Sequence, residues 1–184
     1  MHETKQRLIA AGLRLMLERG YNAVGIQEIL AETGVPKGSF YHHFASKEEF
    51  ALQVVDAYVG NVHELLEVVL TDTSRAPLER VRGIYETEGY LGCLLGALGQ
   101  ELSGANELFR HRIEGCIAGI AGRLAVCLEE ARVGGELPAA TDTARMADVL
   151  VDAWEGAALR SRLSRTGRPL DAVLDFYLAA VTTP

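Results

Sequence analysis

Apolar residues recur at intervals of three and four along almost the whole chain, and no segment alternates as a half-buried strand would. Ile9, Gly12, Leu13 and Met16 fall at i, i+3, i+4 and i+7, one face of a first helix. Gly20 supplies the left-handed residue that commonly ends a helix. Ile26, Ile29 and Leu30 predict a short second helix, broken at Thr33-Gly34. Pro36 suits the first turn of a third, where its missing N–H is not needed. Phe40 and Phe44 lie four apart on that helix and face inward together. Ser46 with Glu49 three residues on forms a capping box. It opens a long fourth helix carrying Phe50, Val54, Ala57 and Tyr58.

A polar linker, Thr71 to Pro77, separates these from the rest, and Pro77 again suits a helix start. Helices are predicted from Leu78 to about Tyr90, Gly92 to about Leu102, and Asn106 to about Arg132. Gly104 and the stretch Val133 to Pro138 punctuate them. Thr141 is the expected cap of a long helix reaching about Arg162. Gly167-Arg168-Pro169 precedes a last amphipathic helix with Val173, Leu174, Tyr177 and Leu178. The fold class is therefore all-α, with nine helices and no internal repeat.

Composition narrows the class. Of 184 residues, 48% are hydrophobic and 23% charged, as in an ordinary globular domain. No run approaches the ~20 apolar residues of a membrane span. The most apolar stretch, Tyr90 to Leu98, is short and cut by Gly92 and Gly96. The polar start has no signal-peptide core. Three cysteines, an odd number with no CxxC pair, argue against a disulfide framework. A cytoplasmic location is expected. No metal-site spacing is present, because the adjacent His42 and His43 should point in different directions on a helix, and no cofactor is implied.

The net charge of −7 looks wrong for a nucleic-acid binder until it is divided. Residues 1–50 hold six Lys/Arg and six Asp/Glu; residues 51–184 hold twelve and nineteen. All the excess acidity lies in the second part. Phosphate affinity depends on local basic groups and helix ends, not on the whole-chain sum.

Helices two and three, joined by a tight turn at Gly34, have the form of a helix-turn-helix. The second helix of such a unit enters the major groove. Phe40 and Phe44 supply its apolar inner face. Lys37, Gly38, Ser39, Tyr41, His42 and His43 supply a polar outer face. Lys37 can donate to guanine or phosphate, and Gly38 lets the backbone approach base edges. Ser39 can donate or accept at either, and Tyr41 and His42 can donate to phosphate oxygens. Gln27 can reach the backbone or a base edge. Lys47 lies in the first turn of helix four, where the macrodipole also attracts a phosphate.

The run Gly20-Tyr21, Gly25-Ile26-Gln27-Glu28-Ile29-Leu30-Ala31, Gly34-Val35-Pro36-Lys37-Gly38-Ser39-Phe40-Tyr41-His42-His43-Phe44 and Ser46-Lys47-Glu48 resembles the TetR/AcrR family of repressors. The match covers roughly residues 5–55. The resemblance implies a DNA-binding head of three helices, residues 1–46. A ligand-binding and dimerising bundle, residues 47–184, would follow. It implies a homodimer that binds a palindromic, double-stranded DNA operator and is released by a small-molecule effector. Many members carry Ser or Thr before helix two, whereas this chain has Val24-Gly25. Gly25 can cap a helix but offers no side chain to a phosphate. Gly92-Cys93-Leu94-Leu95-Gly96, Leu98 to Leu102 and Asp152 to Ala157 resemble one branch of the family. That branch includes repressors responsive to N-ethylmaleimide and other electrophiles, and acrylate-responsive repressors.

In the body, Ala153, Gly156 and Ala157 form a small-residue stripe that would let two helices approach. Met146, Val149 and Leu150 extend it, so the last two helices are the expected dimer interface. Tyr85, Tyr90, Cys93, Phe109 and Trp154 are candidates for an effector pocket, with Arg110 or Arg112 as an anion partner. Cys93, near a predicted helix start, has the placement of an electrophile-sensing thiol; a small buried hydrophobe is the alternative. Cys116 and Cys127 share a helix face and are expected in the core. An enzyme with Cys93 as nucleophile would need a base with an orienting partner. His63 and His111 have none at useful spacing, so no catalytic residue is expected. A protein-binding module that has lost its DNA contacts would not need the polar outer face of helix three.

Overall fold

The computed structural model describes residues 2–85, 93–104 and 106–182, and among these every regular element is a helix. In chain order they are α1 (His2–Arg19), α2 (Ile26–Thr33), α3 (Lys37–His43), α4 (Lys47–Leu70) and α5 (Pro77–Tyr85). Then come α6 (Leu94–Leu102), α7 (Glu107–Val133), α8 (Thr143–Ser164) and α9 (Arg168–Thr182). Tyr90 and Gly92 lie outside the described residues. No helix described is long and apolar enough to cross a membrane.

Two compact units divide the chain, one within Met1–Asn61 and Cys93–Ile113, the other within Val62–Gly92 and Glu114–Pro184. In the first, α1 packs on α2, α3 and α6. Its buried stripe is Leu8, Ala11, Leu15 and Met16, with Ile9 and Leu13 at the margin. Of the face expected at Ile9, Gly12, Leu13 and Met16, Gly12 and Met16 are buried, and Leu8 and Leu15 rather than Ile9 and Leu13 complete it. The same unit holds a ring cluster, Phe40, Phe44 and Phe50, all within 1% of full burial, with ring centroids 4.9–5.3 Å apart. Gly12 lies against Phe50, so even a methyl group there would collide with the ring.

The predicted helix ends hold with small shifts. Gly20 and Gly34 adopt φ of +82° and +65° and close α1 and α2. Ser46 accepts the Glu49 N–H at 3.0 Å, one half of the capping box. The Glu49 carboxylate returns to the Ala45 N–H at 2.7 Å rather than to Ser46. Pro36 stands just before α3 rather than inside it. At α8 the cap is Asp142, not Thr141; its carboxylate accepts the Arg145 N–H at 3.1 Å. A carboxylate at that position also complements the macrodipole, which a hydroxyl does not.

In the second unit the core runs through Leu66, Leu70, Val81, Leu124, Leu128, Leu137, Leu150 and Tyr177. α9 packs along α8 and also meets α5. Arg80 is the one charged side chain of the described residues that is buried, 4% exposed. It donates to the Leu70 carbonyl and to Glu130, both at 2.6 Å. Cys127 is in the core as expected, and burial pushes its thiol up to about 11. Cys116 is buried too.

Candidate nucleic-acid interface and effector site

The outer face of α3 is built on its ring cluster. Phe40 points inward, so its neighbours on the helix point out. Lys37, Gly38, Tyr41 and His42 are exposed, with Ser39 and His43 half-buried; Gln27 is exposed on α2. Tyr41 is 47% exposed, a large share for an aromatic ring. The Lys37 ammonium stands 5.9 Å from its ring centroid. No protein atom of another element lies within 4 Å of a Cβ built on Gly38, so the backbone there can be approached closely. His42 and His43 do not diverge as expected. Their rings meet edge to face at 5.3 Å, since ring planes can tilt together even from adjacent helical positions. Desolvation first, then the charges of His42 and Lys5, hold the His43 imidazole below its ordinary range, which keeps it neutral near pH 7. Gly25 begins α2 with no side-chain cap, as its missing side chain requires.

Lys47 opens α4 as expected, and its side chain is also engaged within the subunit. Its ammonium donates to the Tyr21 carbonyl at 2.7 Å and stands 4.1 Å from the centroid of the Tyr21 ring. Burial lowers its pKa, and nearby Glu101 partly offsets this. One of its three donors is thus used inside the subunit. The Tyr21 ring in turn packs against Phe109, at 6.1 Å between centroids.

Glu101, on α6, is a residue that sequence reasoning missed. Its two carboxylate oxygens accept the backbone N–H groups of Tyr21 at 3.2 Å and Asn22 at 2.9 Å. A side chain at Gly20 would run into this carboxylate. The clamp fixes the turn between α1 and α2 to the C-terminal half of α6. Asn106 adds a second tie, donating to Glu48 at 2.6 Å.

Cys93 caps the other end of α6, with extended backbone. Its sulfur is 3.7 Å from the Tyr58 hydroxyl, and the residue is half-buried. Phe109 is 1% exposed and serves as core. Arg110 is turned to Glu107 at 2.7 Å, and Arg112 to Asp56. In the second unit, the Tyr85 and Trp154 rings pack at a tilt with centroids 4.0 Å apart. Burial first, then Tyr177 and Glu155, raises the Tyr85 hydroxyl well above its usual value. The structure therefore pairs Tyr85 with Trp154 and Cys93 with Tyr58, while Phe109, Arg110 and Arg112 have separate partners.

The stripe expected on α8 is split by the fold. Leu150 and Ala157 are 0% and 5% exposed and face the subunit's own core. Met146 and Ala153 are half-buried, and Val149 and Gly156 face outward. The outward side continues through Leu159 and Leu163 on α8 and Phe176 on α9, the last two each 76% exposed. A shallow groove of about 300 Å³ between the helices is lined by Ala157, Arg160, Pro169, Ala172, Val173 and Phe176.

Residues 8–54 match the domain described as "Bacterial regulatory proteins, tetR family". Residues 75–177, more than half the chain, match "Tetracyclin repressor-like, C-terminal domain". The chain belongs to the TetR family. Among its relatives, the transcriptional regulator AcuR of Cereibacter sphaeroides is 39% identical over 90% of this chain and 79% of its own length. The HTH-type transcriptional repressor DhaR of a Mycobacterium species is 33% identical, over 96% and 91%. The crystal structure of Escherichia coli NemR in its reduced form matches with a TM-score of 0.89 at 31% identity, covering 100% of this chain and 99% of that one. TetR-family chains are transcription regulators and not enzymes, so the Cys93 nucleophile of an enzyme is set aside.

Proposed function

We propose that this TetR-family regulator is a cytoplasmic, homodimeric repressor that binds a palindromic operator and releases it when a small molecule acts on the body. The observation that carries the DNA reading is the exposed polar face of α3, seated on a fully buried Phe40–Phe44–Phe50 cluster. Lys37, Gly38 and Ser39 read or approach base edges; Gln27, Tyr41, His42, His43 and Lys47 serve the phosphates. The head is residues 1–46 and the effector-binding and dimerising body residues 47–184. The second copy covers Val149, Ala153, Gly156, Leu159, Leu163 and Phe176, burying apolar surface that water now meets.

The effector is a reactive electrophile or a small unsaturated acid. Cys93 supports the first: it precedes the N-terminus of α6, where the macrodipole favours a thiolate, and it is not sealed in the core. The related repressor NemR has been crystallised in a reduced form, which accords with thiol chemistry. Tyr85 and Trp154 supply an aromatic surface for the apolar part of a ligand.

The test is selection of bound duplexes from a random pool, followed by treatment of the complex with N-ethylmaleimide. A two-fold symmetric site is expected. Lys37→Ala should weaken specific binding by about 1–3 kcal/mol and relax one base position. Cys93→Ser should abolish release by the maleimide. Recovery of no preferred duplex would end the operator reading; release unchanged in Cys93→Ser would end the thiol reading.

A further inference from the structure

Between Glu155 and Asp171 stand four arginines, Arg160, Arg162, Arg165 and Arg168, and no acidic residue. The rest of residues 51–184 holds eight Lys/Arg against nineteen Asp/Glu, so this stretch is a basic island in an acidic body. It covers the end of α8, the turn and the start of α9. Arg160, Arg165 and Arg168 are exposed and form no ion pair with a carboxylate among the described residues. Other arginines are satisfied within the chain. Arg80, Arg82 and Arg132 each meet a carboxylate in the second unit. In the first, Arg14 meets Glu32, Arg19 meets Glu28, and Arg7 donates to the Thr33 carbonyl.

Local physics does not account for two of the three. Arg165 closes α8 at φ +56° and is the one non-glycine among the described residues with a positive φ. Glycine suits that conformation, and a side chain is strained in it. Arg168 opens α9, where the positive end of the macrodipole disfavours a cation. The cluster is also set apart from the acids of its own unit. α8 starts beside Glu129, whose carboxylate the Thr143 hydroxyl reaches at 3.3 Å, and runs away from it for 22 residues, about 33 Å by the helical rise. Backbone strain and opposed charge kept together at one exposed place point to a partner that offsets both.

We propose that Arg160, Arg165 and Arg168 form a phosphate-binding surface for the backbone of the duplex that the reading helices engage. The proposal rests on the operator reading above and adds a second, sequence-independent contact to it. Charge favours this partner. Residues 1–50 hold six basic and six acidic residues, so the head itself brings little field to a polyanion. Guanidinium groups match phosphate oxygens in pairs, and each one seated on a phosphate releases a condensed counterion. Leu159 and Leu163, beside these arginines on α8, belong to the face assigned to the second copy, so a pair would carry two such sets. Like charges gathered in this way repel one another unless an anion lies among them.

The test is fluorescence anisotropy of the full-length protein on a labelled duplex carrying the selected site and on a scrambled duplex, each over a series of sodium chloride concentrations. The logarithm of affinity falls against the logarithm of salt by about 0.9 for each phosphate contact. The triple variant Arg160→Gln, Arg165→Gly, Arg168→Gln should bind both duplexes about tenfold more weakly or worse and flatten that slope by about 2–5. The ratio of the two affinities should hold, because phosphate contacts carry no sequence. Lysine at all three positions should restore most of the slope. Arg165→Gly with Arg168→Gln leaves Arg160, which lines the apolar groove, in place and should give part of the same change. Sedimentation should show this double variant paired like the parent, which separates the contact from dimer formation. Slopes unmoved in both variants, while the parent still prefers its selected duplex, overturn the arginine contact and leave the operator reading standing. If the parent prefers no duplex, the operator reading falls, and the slopes on the scrambled duplex still decide the contact. Binding of the parent to phosphatidylglycerol vesicles that the triple variant loses, with the DNA slopes unmoved, would assign the cluster to a membrane and overturn the proposal.

Discussion

The turn between α1 and α2 and the helix pair α8–α9 are held in opposite ways. Around Gly20–Asn22 the ties are few and directional: two N–H groups on the Glu101 carboxylate and one carbonyl on the Lys47 ammonium. Along α8 and α9 the contacts are many and apolar, from Ala147 and Leu150 to Leu174 and Val181, with one tyrosine hydroxyl on the Met146 carbonyl at 2.9 Å. Directional ties set an orientation and can be switched by moving one side chain. Distributed apolar packing sets stability and yields gradually. A regulator needs the first kind where its reading helix is aimed and the second where its subunit must simply persist.

Substitutions can break this contrast or sharpen it. The largest effect is expected from Phe40→Ala, about 4 kcal/mol lost by emptying the ring cluster. Denaturant unfolding should show the loss, and operator binding should vanish with it. Arg80→Met should cost about 2–3 kcal/mol, because the Leu70 carbonyl loses its donor while Glu130, half exposed, is rescued by water. A smaller cost would mean that the body tolerates loss of its one buried charge. Gly20→Ala should cost about 1–2 kcal/mol, from left-handed strain and from the collision with Glu101. Glu101→Gln, which keeps the shape but surrenders an acceptor, should cost about 1 kcal/mol. Its operator affinity should fall by more than its stability if the clamp aims the head. Equal losses would make the clamp merely structural.

Two gentler perturbations complete the series. Arg165 ends α8 at φ +56°, a conformation that suits glycine, so Arg165→Gly should stabilise by about 0.5 kcal/mol. Alkaline pH should act through Cys127. Its thiol is raised in the folded state, so the folded protein holds that proton more tightly than the unfolded chain does. Its contribution is therefore full below about 9 and is lost as pH rises toward about 11. Thermal melts of Cys127→Ala should show less of this alkaline decline.

What was legible in the sequence follows the same division. Local signals succeeded: Gly20 and Gly34 as left-handed ends, Ser46 with Glu49 as a cap, and Phe40 with Phe44 as an inner face. Each depends on residues within about one helical turn of one another. Glu101 stands some eighty positions from Tyr21, and an acid on an amphipathic helix carries no mark of what it will grip. The hold of Lys47 on the Tyr21 carbonyl went unseen for the same reason, since that partner stands 26 positions away in the chain. On α8 the small-residue stripe was visible, but not which half of it the same subunit would bury. Leu150 and Val149 differ by one position and by a hundred degrees of helix rotation, and the helices packed around α8 decide between them.

Phe176 has a further consequence for the cell. If its ring meets water in a lone chain and leaves it in a pair, folding and pairing draw on the same free energy, and mass action applies. The melting temperature should then climb with protein concentration, by an amount that Phe176→Ser would flatten. Newly made chains would be at their most fragile when scarce, shortly after the gene is first switched on, and would gain resistance to proteolysis as their number rises. Repressor abundance would thereby be sharpened into a threshold without any ligand taking part.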